Sequence, residues 1–159
     1  MRIREQRKQL VQRRPTVLNA ESRRVITRPH IPGDGARITA LIDRVSKLSD
    51  EDTKHLLEAV NQDFSGRHRN FRETLQSNFD RIAEHVAKGI TLSSERQLLL
   101  GAYFTAEYSV EAAALFNPSI VPHPDQKGVA KGSQRFVMSF RATGEGHVSS
   151  IEFRSGVVD

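Results

Sequence analysis

The last third of this sequence alternates apolar with polar or smaller residues, and this alternation constrains the fold more than any other feature. A period of two is produced by a β-strand, whose successive side chains point to opposite faces. In the run 135–141, Phe136, Met138 and Phe140 alternate with arginine, valine and serine. The pattern predicts a strand with one buried face.

Two further runs extend this predicted sheet. Residues 147–154 repeat the alternation, with Ile151 and Phe153 on one side and charged residues on the other. The two glycines of the loop 142–146 supply the positive φ angles that hairpin connections need. A third run, 116–121, ends at a proline. Because three strands form a marginal sheet unless something covers the apolar face, we expect either that helices cover it or that the polypeptide belongs to a larger β domain.

The segment 31–115 shows the 3.6-residue period of amphipathic helices. Apolar stripes begin at Ile38, Leu56 and Phe71, and the third stripe runs to Val86. Each stripe predicts a helix with one buried face, and no repeat of fixed period links them.

Local signals predict where helices begin and end. Ser49 precedes three acidic residues and predicts an N-cap, because its hydroxyl accepts from free amides while the acids favour the positive end of the helix dipole. Ser94 to Gln97 resembles a capping box and predicts the start of a fourth helix. A short fifth helix over 109–115 is expected to end before Pro118. Helices followed by strands without alternation indicate an α+β fold.

The composition narrows the classes of function. The chain has no cysteine, which excludes disulfides, thiolate catalysis and cysteine-ligated zinc. Its longest apolar stretch, residues 98–104, is far shorter than the roughly 20 residues that span a bilayer. The basic N-terminus lacks the apolar core of a secretory signal. We therefore expect no membrane partner and a cytoplasmic location.

The positive charge belongs to the first 30 residues. They hold nine of the 24 basic and two of the 19 acidic side chains, so the remaining residues carry 15 basic against 17 acidic ones. Such an arm could neutralise nucleic-acid phosphates. It contains no aromatic side chain to stack on bases. We therefore expect it to pack on its own protein or a partner rather than to bind nucleic acid.

The histidines and acids give no strong catalytic or metal motif. There is no H-E-x-x-H, and His123 and Asp125 lie on a proline-broken loop without an obvious third ligand, so we expect no metal or other cofactor. Glu107 and Glu111 are four residues apart and would share a helix face, as a general acid–base pair could. Two solvated acids near a helix start are the simpler interpretation.

Asn117 and Arg141 are the candidate binding residues. Asn117 stands where the predicted helix gives way to a strand, and Arg141 ends a well-formed strand beside the glycine-rich loop. An amide and a planar guanidinium at strand ends suit the recognition of sugar hydroxyls or phosphate. The alternative is structural: Asn117 caps the backbone and Arg141 pairs with Glu145. The residues alone leave both interpretations open.

A family resemblance separates these alternatives. Residues 107–119 (EYSVEAAALFNPS), residues 135–141 (RFVMSFR) and the glycine-containing loop that leads into residues 149–151 (SSI) resemble family 130 of the glycoside hydrolases. This family comprises the β-mannoside phosphorylases and related mannosidases. Members with a helical extension ahead of the catalytic domain are the most similar, and they carry a segment like residues 24–29. The resemblance extends from residue 23 onward.

The resemblance implies a five-bladed β-propeller whose first blade would include the C-terminal strands. It implies an inverting reaction in which phosphate attacks the anomeric carbon of a β-mannoside and yields mannose 1-phosphate. Asn117 and Arg141 would line the mannosyl and phosphate subsite, with Ser119 and His147 as neighbours. Inorganic phosphate would be the co-substrate.

The resemblance also implies that the catalytic acid is missing from this chain. The family's proton-donating Asp lies in a later blade, and Asp159 is not that acid. A propeller of roughly 4–8 four-stranded blades cannot be built from three strands. We therefore expect an N-terminal part of a carbohydrate-active enzyme that is inactive by itself.

The expected organisation is a basic arm at 1–30, a helical domain at 31–115 and the beginning of a propeller at 116–159. Expected partners are a β-mannoside, phosphate, and either further copies of the chain or the rest of the propeller. The alternative function is a non-catalytic helical module for protein–protein interaction, which would offer a strand edge or its helix faces.

Overall fold

The fold is α+β, with four α-helices and two small antiparallel sheets in the computed structural model, which describes residues 15–159. The first 14 residues, and with them much of the predicted basic arm, lie outside the described residues. The helices are α1 (Gly35–Ser46), α2 (Asp50–Phe64), α3 (Phe71–Asp80) and α4 (Ser94–Tyr103). The strands are β1 (Val25–Pro29), β2 (Thr105–Ser109), β3 (Ala114–Pro122), β4 (Gln134–Thr143) and β5 (Ser149–Val158).

Serine side chains begin two of the helices. Ser49 Oγ accepts a hydrogen bond from the Asp52 amide at 3.0 Å, which confirms the predicted N-cap of α2. In α4 the N-cap is Ser93, one residue earlier than the predicted capping box, and its Oγ accepts from the Arg96 amide at 3.3 Å. Both caps satisfy donors that have no partner within the helix.

The helices bury two apolar clusters that contain members of each predicted stripe, although Leu56, which begins the second stripe, is 37% exposed. The larger cluster joins α1, the end of α3 with the segment after it, and α4 with the residue after it: Ile38, Ile42, Val45, Phe79, Ile82, Leu92, Leu99, Leu100 and Phe104. The smaller cluster joins α2, α3 and α4: Leu57, Phe71, Leu75 and Leu98.

A glycine permits the closest helix contact. A Cβ atom at Gly101 of α4 would lie 1.9 Å from the carbonyl oxygen of Leu75 on α3, so no larger residue fits at this crossing. The two helices approach as closely as they do because this position has no side chain.

The third predicted helix is shorter than its apolar stripe. The stripe predicts a helix as far as Val86, but α3 ends at Asp80 and a 3₁₀ turn follows at Ala83–His85. The Ile82 amide donates to the Phe79 carbonyl, an i→i−3 bond of 2.9 Å that tightens the last turn. Ile82 is fully buried in the larger cluster, so the apolar pattern continues although the α-helix has ended.

The predicted fifth helix over 109–115 is wrong. Ser109 instead ends β2, which pairs antiparallel with β1 and sets Ser109 opposite Val25. After a turn, Ala114 already begins β3. Strand pairing with a distant segment therefore overrides the local helical pattern.

The three predicted C-terminal strands form one antiparallel sheet in the order β3-β4-β5. Its register pairs Phe140 with Glu152 and Arg141 with Ile151. Paired residues share a face, so the sheet has one face with Phe140 and Glu152 and an opposite face with Arg141 and Ile151.

The burial predicted from the alternation in β5 is wrong. Ile151 and Phe153 are 60% and 62% exposed, whereas Glu152 is only 6% exposed. Glu152 lies on the inner side because it forms an ion pair with Arg24, which immediately precedes β1.

Exposed apolar side chains lie on both faces of this sheet. On the face with Arg141, the exposed apolar residues include Val121, Ile151, Phe153 and Val157. The opposite face is buried around Phe140 and Ala142 but exposes Ile120 and Val158. Only a portion of one face is therefore covered, and its ion pairs are with Arg24 and Glu111, which flank β1 and β2.

Candidate functional site

Asn117 lies at a bulge in β3. The register between β3 and β4 shifts between Phe116 and Ser119, and Asn117 has a φ of 52°. Asparagine enters this left-handed region more readily than most non-glycine residues. Here it does so in an exposed position directly before Pro118. Backbone of this kind often occurs at binding sites.

Arg141 lies on β4, opposite the residue that precedes Asn117. It is the cross-strand partner of Phe116, and its guanidinium carbon is 5.5 Å from the centre of the Phe116 ring. Its Nε donates a hydrogen bond to Ser149 Oγ at 3.2 Å. A stacked face and a bonded Nε together restrict the orientation of the guanidinium plane.

The structural alternative for this pair does not match the contacts. Glu145 Oε2 accepts from the Ser109 amide at 2.8 Å, and no ion pair joins Glu145 to Arg141 within residues 15–159. In the same range, Asn117 shows no side-chain hydrogen bond that would cap the backbone.

Ser119 and His147 lie further from the pair along the register. Ser119 is opposite Ser139, beyond the bulge, while His147 lies in the 3₁₀ turn that joins β4 to β5. His147 also has a left-handed backbone, with a φ of 58°, and its side chain is exposed. The register thus pairs Arg141 with the neighbour of Asn117, and it places Ser119, through Ser139, on the same face of the sheet as Arg141.

The arrangement can bind oxygen atoms. Among the described residues, the terminal nitrogens of Arg141 donate no hydrogen bond, so they can reach two oxygens of a phosphate or neighbouring hydroxyls of a sugar. The Asn117 amide offers both a donor and an acceptor. Neither group transfers a proton at neutral pH, so the pair can bind and orient a substrate.

Glu107 and Glu111 belong to two separate ion-pair clusters. Both sequence interpretations of these residues are therefore wrong: they do not share a helix face, and they are not solvated acids. Glu111 lies in the turn after β2 and is fully buried. Its carboxylate accepts from the Glu21 amide at 3.0 Å, from Arg24 Nη1 at 2.7 Å and from Arg154 Nη2 at 2.6 Å.

The Glu111 cluster joins three parts of the chain. Arg24 precedes β1, Glu111 follows β2, and Arg154 lies on β5; Arg24 also contacts Glu152 of β5. Burial acts to raise the pKa of Glu111, but hydrogen bonds from the Glu21 amide and Arg154 and the charges of both arginines outweigh it and lower that pKa. Glu111 is therefore held as a carboxylate between the two-stranded sheet β1–β2 and the three-stranded sheet.

The Glu107 cluster lies at the edge of the helical part. Arg67 donates to the Glu107 carboxylate from Nε at 3.0 Å and from Nη2 at 2.8 Å, and His68 Nε2 is 2.5 Å from Oε1. His68 stacks on Phe71, with ring centres 5.3 Å apart. Burial opposes ionisation, but the hydrogen bonds from Arg67 and His68 outweigh it and lower the pKa of Glu107.

Comparisons with protein-family models, curated proteins and solved structures found no match. Within residues 15–159, no three histidine or carboxylate side chains are grouped closely enough to hold a metal ion. The helices of this range are too short or too polar to cross a membrane.

Proposed function

We propose that this chain is the N-terminal, substrate-binding part of a carbohydrate-active enzyme that resembles the β-mannoside phosphorylases. In this proposal Asn117 and Arg141 bind the sugar and phosphate oxygens when phosphate cleaves a β-mannoside to mannose 1-phosphate. The observation that carries the proposal is the strand pairing. Arg141 pairs with Phe116, the residue directly before the exposed, left-handed Asn117, and the terminal nitrogens of Arg141 donate no hydrogen bond among the described residues.

The sheet supports a place in a larger β domain. Apolar side chains such as Val121 and Phe153 are 53% and 62% exposed, and neither β3 nor β5 has a second neighbour among the described strands. A blade inside a propeller packs between two other blades, so both of its faces become buried. A three-stranded sheet with two apolar faces fits that environment.

The two residues contribute binding rather than proton transfer. Hydrogen bonds to a charged group contribute about 1.5–3 kcal/mol each. Enzymatic acceleration needs about 8 kcal/mol or more. The acid that protonates the departing sugar oxygen therefore has to come from another part of the proposed propeller.

An NMR titration of the full chain with mannose 1-phosphate tests this function. The ligand should shift the Arg141 Nε–H and Asn117 side-chain amide signals, and Arg141→Ala should abolish the shift at Asn117. Arg37→Ala is the matched control, because the Arg37 side chain is 78% exposed on α1 and should leave the titration unchanged.

Two results would refute the proposal. One is a set of ligand shifts confined to residues away from the bulge, and the other is an identical titration for Arg141→Ala and Arg37→Ala. The melting temperature of Arg141→Ala should fall by less than about 3 °C, as expected for an exposed side chain. A large fall would support the structural alternative.

A non-catalytic interaction module is the second candidate, and the exposed apolar faces of the sheet favour it. In that case a partner protein covers Phe153 and its neighbours. Light scattering over a concentration series distinguishes the two candidates. Self-association that Phe153→Ser abolishes and Arg141→Ala does not change, together with no sugar-phosphate binding, would select the interaction module.

A further inference from the structure

We propose that a cleft between α2, α3 and α4 binds a neutral, apolar small molecule with an aryl or branched alkyl group. The cleft has a volume of about 320 Å³, within the range of roughly 300–1,000 Å³ found for ligand pockets. Leu75 and Leu99 form its floor and are 1% and 2% exposed. Leu56 and Tyr103 form its rim and are 37% and 40% exposed.

The polar groups at one end of the cleft already have partners. Thr105 Oγ1 donates to the Gly101 carbonyl and accepts from Asn78 Nδ2, both at 2.7 Å. The Glu107 carboxylate is occupied by Arg67 and by a histidine. An ordered water needs two to four polar partners, which these walls do not leave available. Filling the cleft with an apolar group is therefore more favourable in free energy than filling it with ordered water.

The size of the cleft selects a small molecule over a protein chain. A stable protein interface buries about 800 Å² on each partner, far more than the wall of a cleft of this volume can supply. Its volume is roughly twice the ~150 Å³ of a cavity that binds benzene, so a bicyclic aromatic molecule is of suitable size. The Arg44 guanidinium lies 5.4 Å from the Tyr103 ring centre and packs that aromatic side chain at the rim.

Desolvation restricts the ligand further. A carboxylate moved into this cleft would lose its hydration against an inner wall formed by apolar side chains such as Leu75 and Leu99, which is costly. The cleft therefore discriminates against acids of the same shape as the neutral ligand.

Titration of the full chain with 1-naphthol, followed by its fluorescence and by methyl NMR, tests this site. We expect saturable binding of one molecule, with shifts at the Leu75 and Leu99 methyl groups. Ala102→Leu fills the cleft from α4 and should weaken binding about tenfold or more. Ala40→Leu, the same substitution at an exposed position of α1, should leave binding unchanged.

A second variant and a second ligand make the test decisive. Val60→Phe fills the cleft from α2 and should weaken binding in the same way, so the test survives if one variant fails to fold. 1-Naphthoate should bind about tenfold more weakly than 1-naphthol, or worse. Absence of saturation, unchanged binding by both variants, or equal binding of the acid would each overturn the proposal. A dimer that Ala102→Leu dissociates, in place of ligand binding, would overturn it as well.

Discussion

Glu111→Gln removes the charge at the centre of the cluster that joins the three-stranded sheet to the β1–β2 sheet. The substitution nearly preserves the shape of the side chain, so its effect reports on the carboxylate rather than on a cavity. Glutamine retains an oxygen that can accept from the Glu21 amide. The contacts at stake are those with the two arginines, Arg24 and Arg154.

The structure sets the size of the effect. The Arg24 side chain is 44% exposed and keeps its contact with Glu152 in the variant. Loss of the Arg24–Glu111 ion pair should therefore cost at most about 1 kcal/mol of stability. The Arg154 side chain is 24% exposed and keeps one hydrogen bond to a backbone carbonyl in the variant. Loss of the Arg154–Glu111 ion pair should therefore cost about 1.5–3 kcal/mol of stability. We therefore expect Glu111→Gln to lower the free energy of unfolding by about 1.5–4 kcal/mol.

Urea denaturation followed by circular dichroism measures this change. The matched control is Glu58→Gln, because Glu58 is exposed on α2 and should change the free energy by less than about 0.5 kcal/mol. The slope of free energy against urea should stay constant, which indicates that the substitution changes stability rather than compactness.

A double-mutant cycle separates the ion pair from other effects. Glu111→Gln and Arg154→Gln should be non-additive by about 1.5 kcal/mol or more, since each removes the same interaction. Additive losses, or a loss for Glu111→Gln no larger than that for Glu58→Gln, would refute the assignment of the cluster as a stabilising joint.

Two further predictions concern acid and packing. The pKa values of Glu107 and Glu111 are lowered below the ordinary 4.5 in the folded protein. The stability that these two carboxylates contribute is therefore present above pH 4.5 and is lost as the pH falls through their lower folded-state pKa values. Urea midpoints measured from about pH 7 to about pH 3 should fall less steeply for Glu111→Gln than for the wild type. Gly101→Ala should lower the free energy of unfolding by about 2 kcal/mol or more, although alanine is the better helix former by about 1 kcal/mol, because the added Cβ would meet a carbonyl at 1.9 Å. Gly66→Ala, with nothing within 4 Å, should be near neutral, and a stabilised Gly101→Ala would contradict the packing argument.

The elements that could be predicted are those with a strong period of their own. The stripe that begins at Ile38 and the cap at Ser49 locate α1 and α2, because burial of one face and a satisfied helix end are local properties. The run from Phe136 locates β4 in the same way. The fifth predicted helix failed because Glu111 is drawn into contacts with residues 87 and 43 positions away, which no local pattern encodes.

The sequence singles out the residues of the candidate site but not their geometry. The positions of Asn117 and Arg141 at strand ends are visible in the sequence. The bulge, the left-handed Asn117 and the contacts of Arg141 with Phe116 and Ser149 depend on the β3–β4–β5 register, which arises only when the strands pair. The Arg67–Glu107 pair spans 40 residues and has no sequence signal either.

The burial of the sheet explains why the sequence pattern gave the wrong face in β5. A lone sheet on a helical layer would turn its apolar side chains inward, yet Glu152 is 6% exposed while Phe153 is 62% exposed. The inner contact is made by charges: removing one partner of a buried ion pair is costly, although replacing the whole pair by apolar side chains is often neutral. The Glu111 cluster therefore attaches the three-stranded sheet to the β1–β2 sheet, and the burial of Ile151, Phe153 and Val157 remains available to another surface. These exposed apolar side chains lie on the same face of the sheet as Arg141, so the proposed larger β domain would cover both.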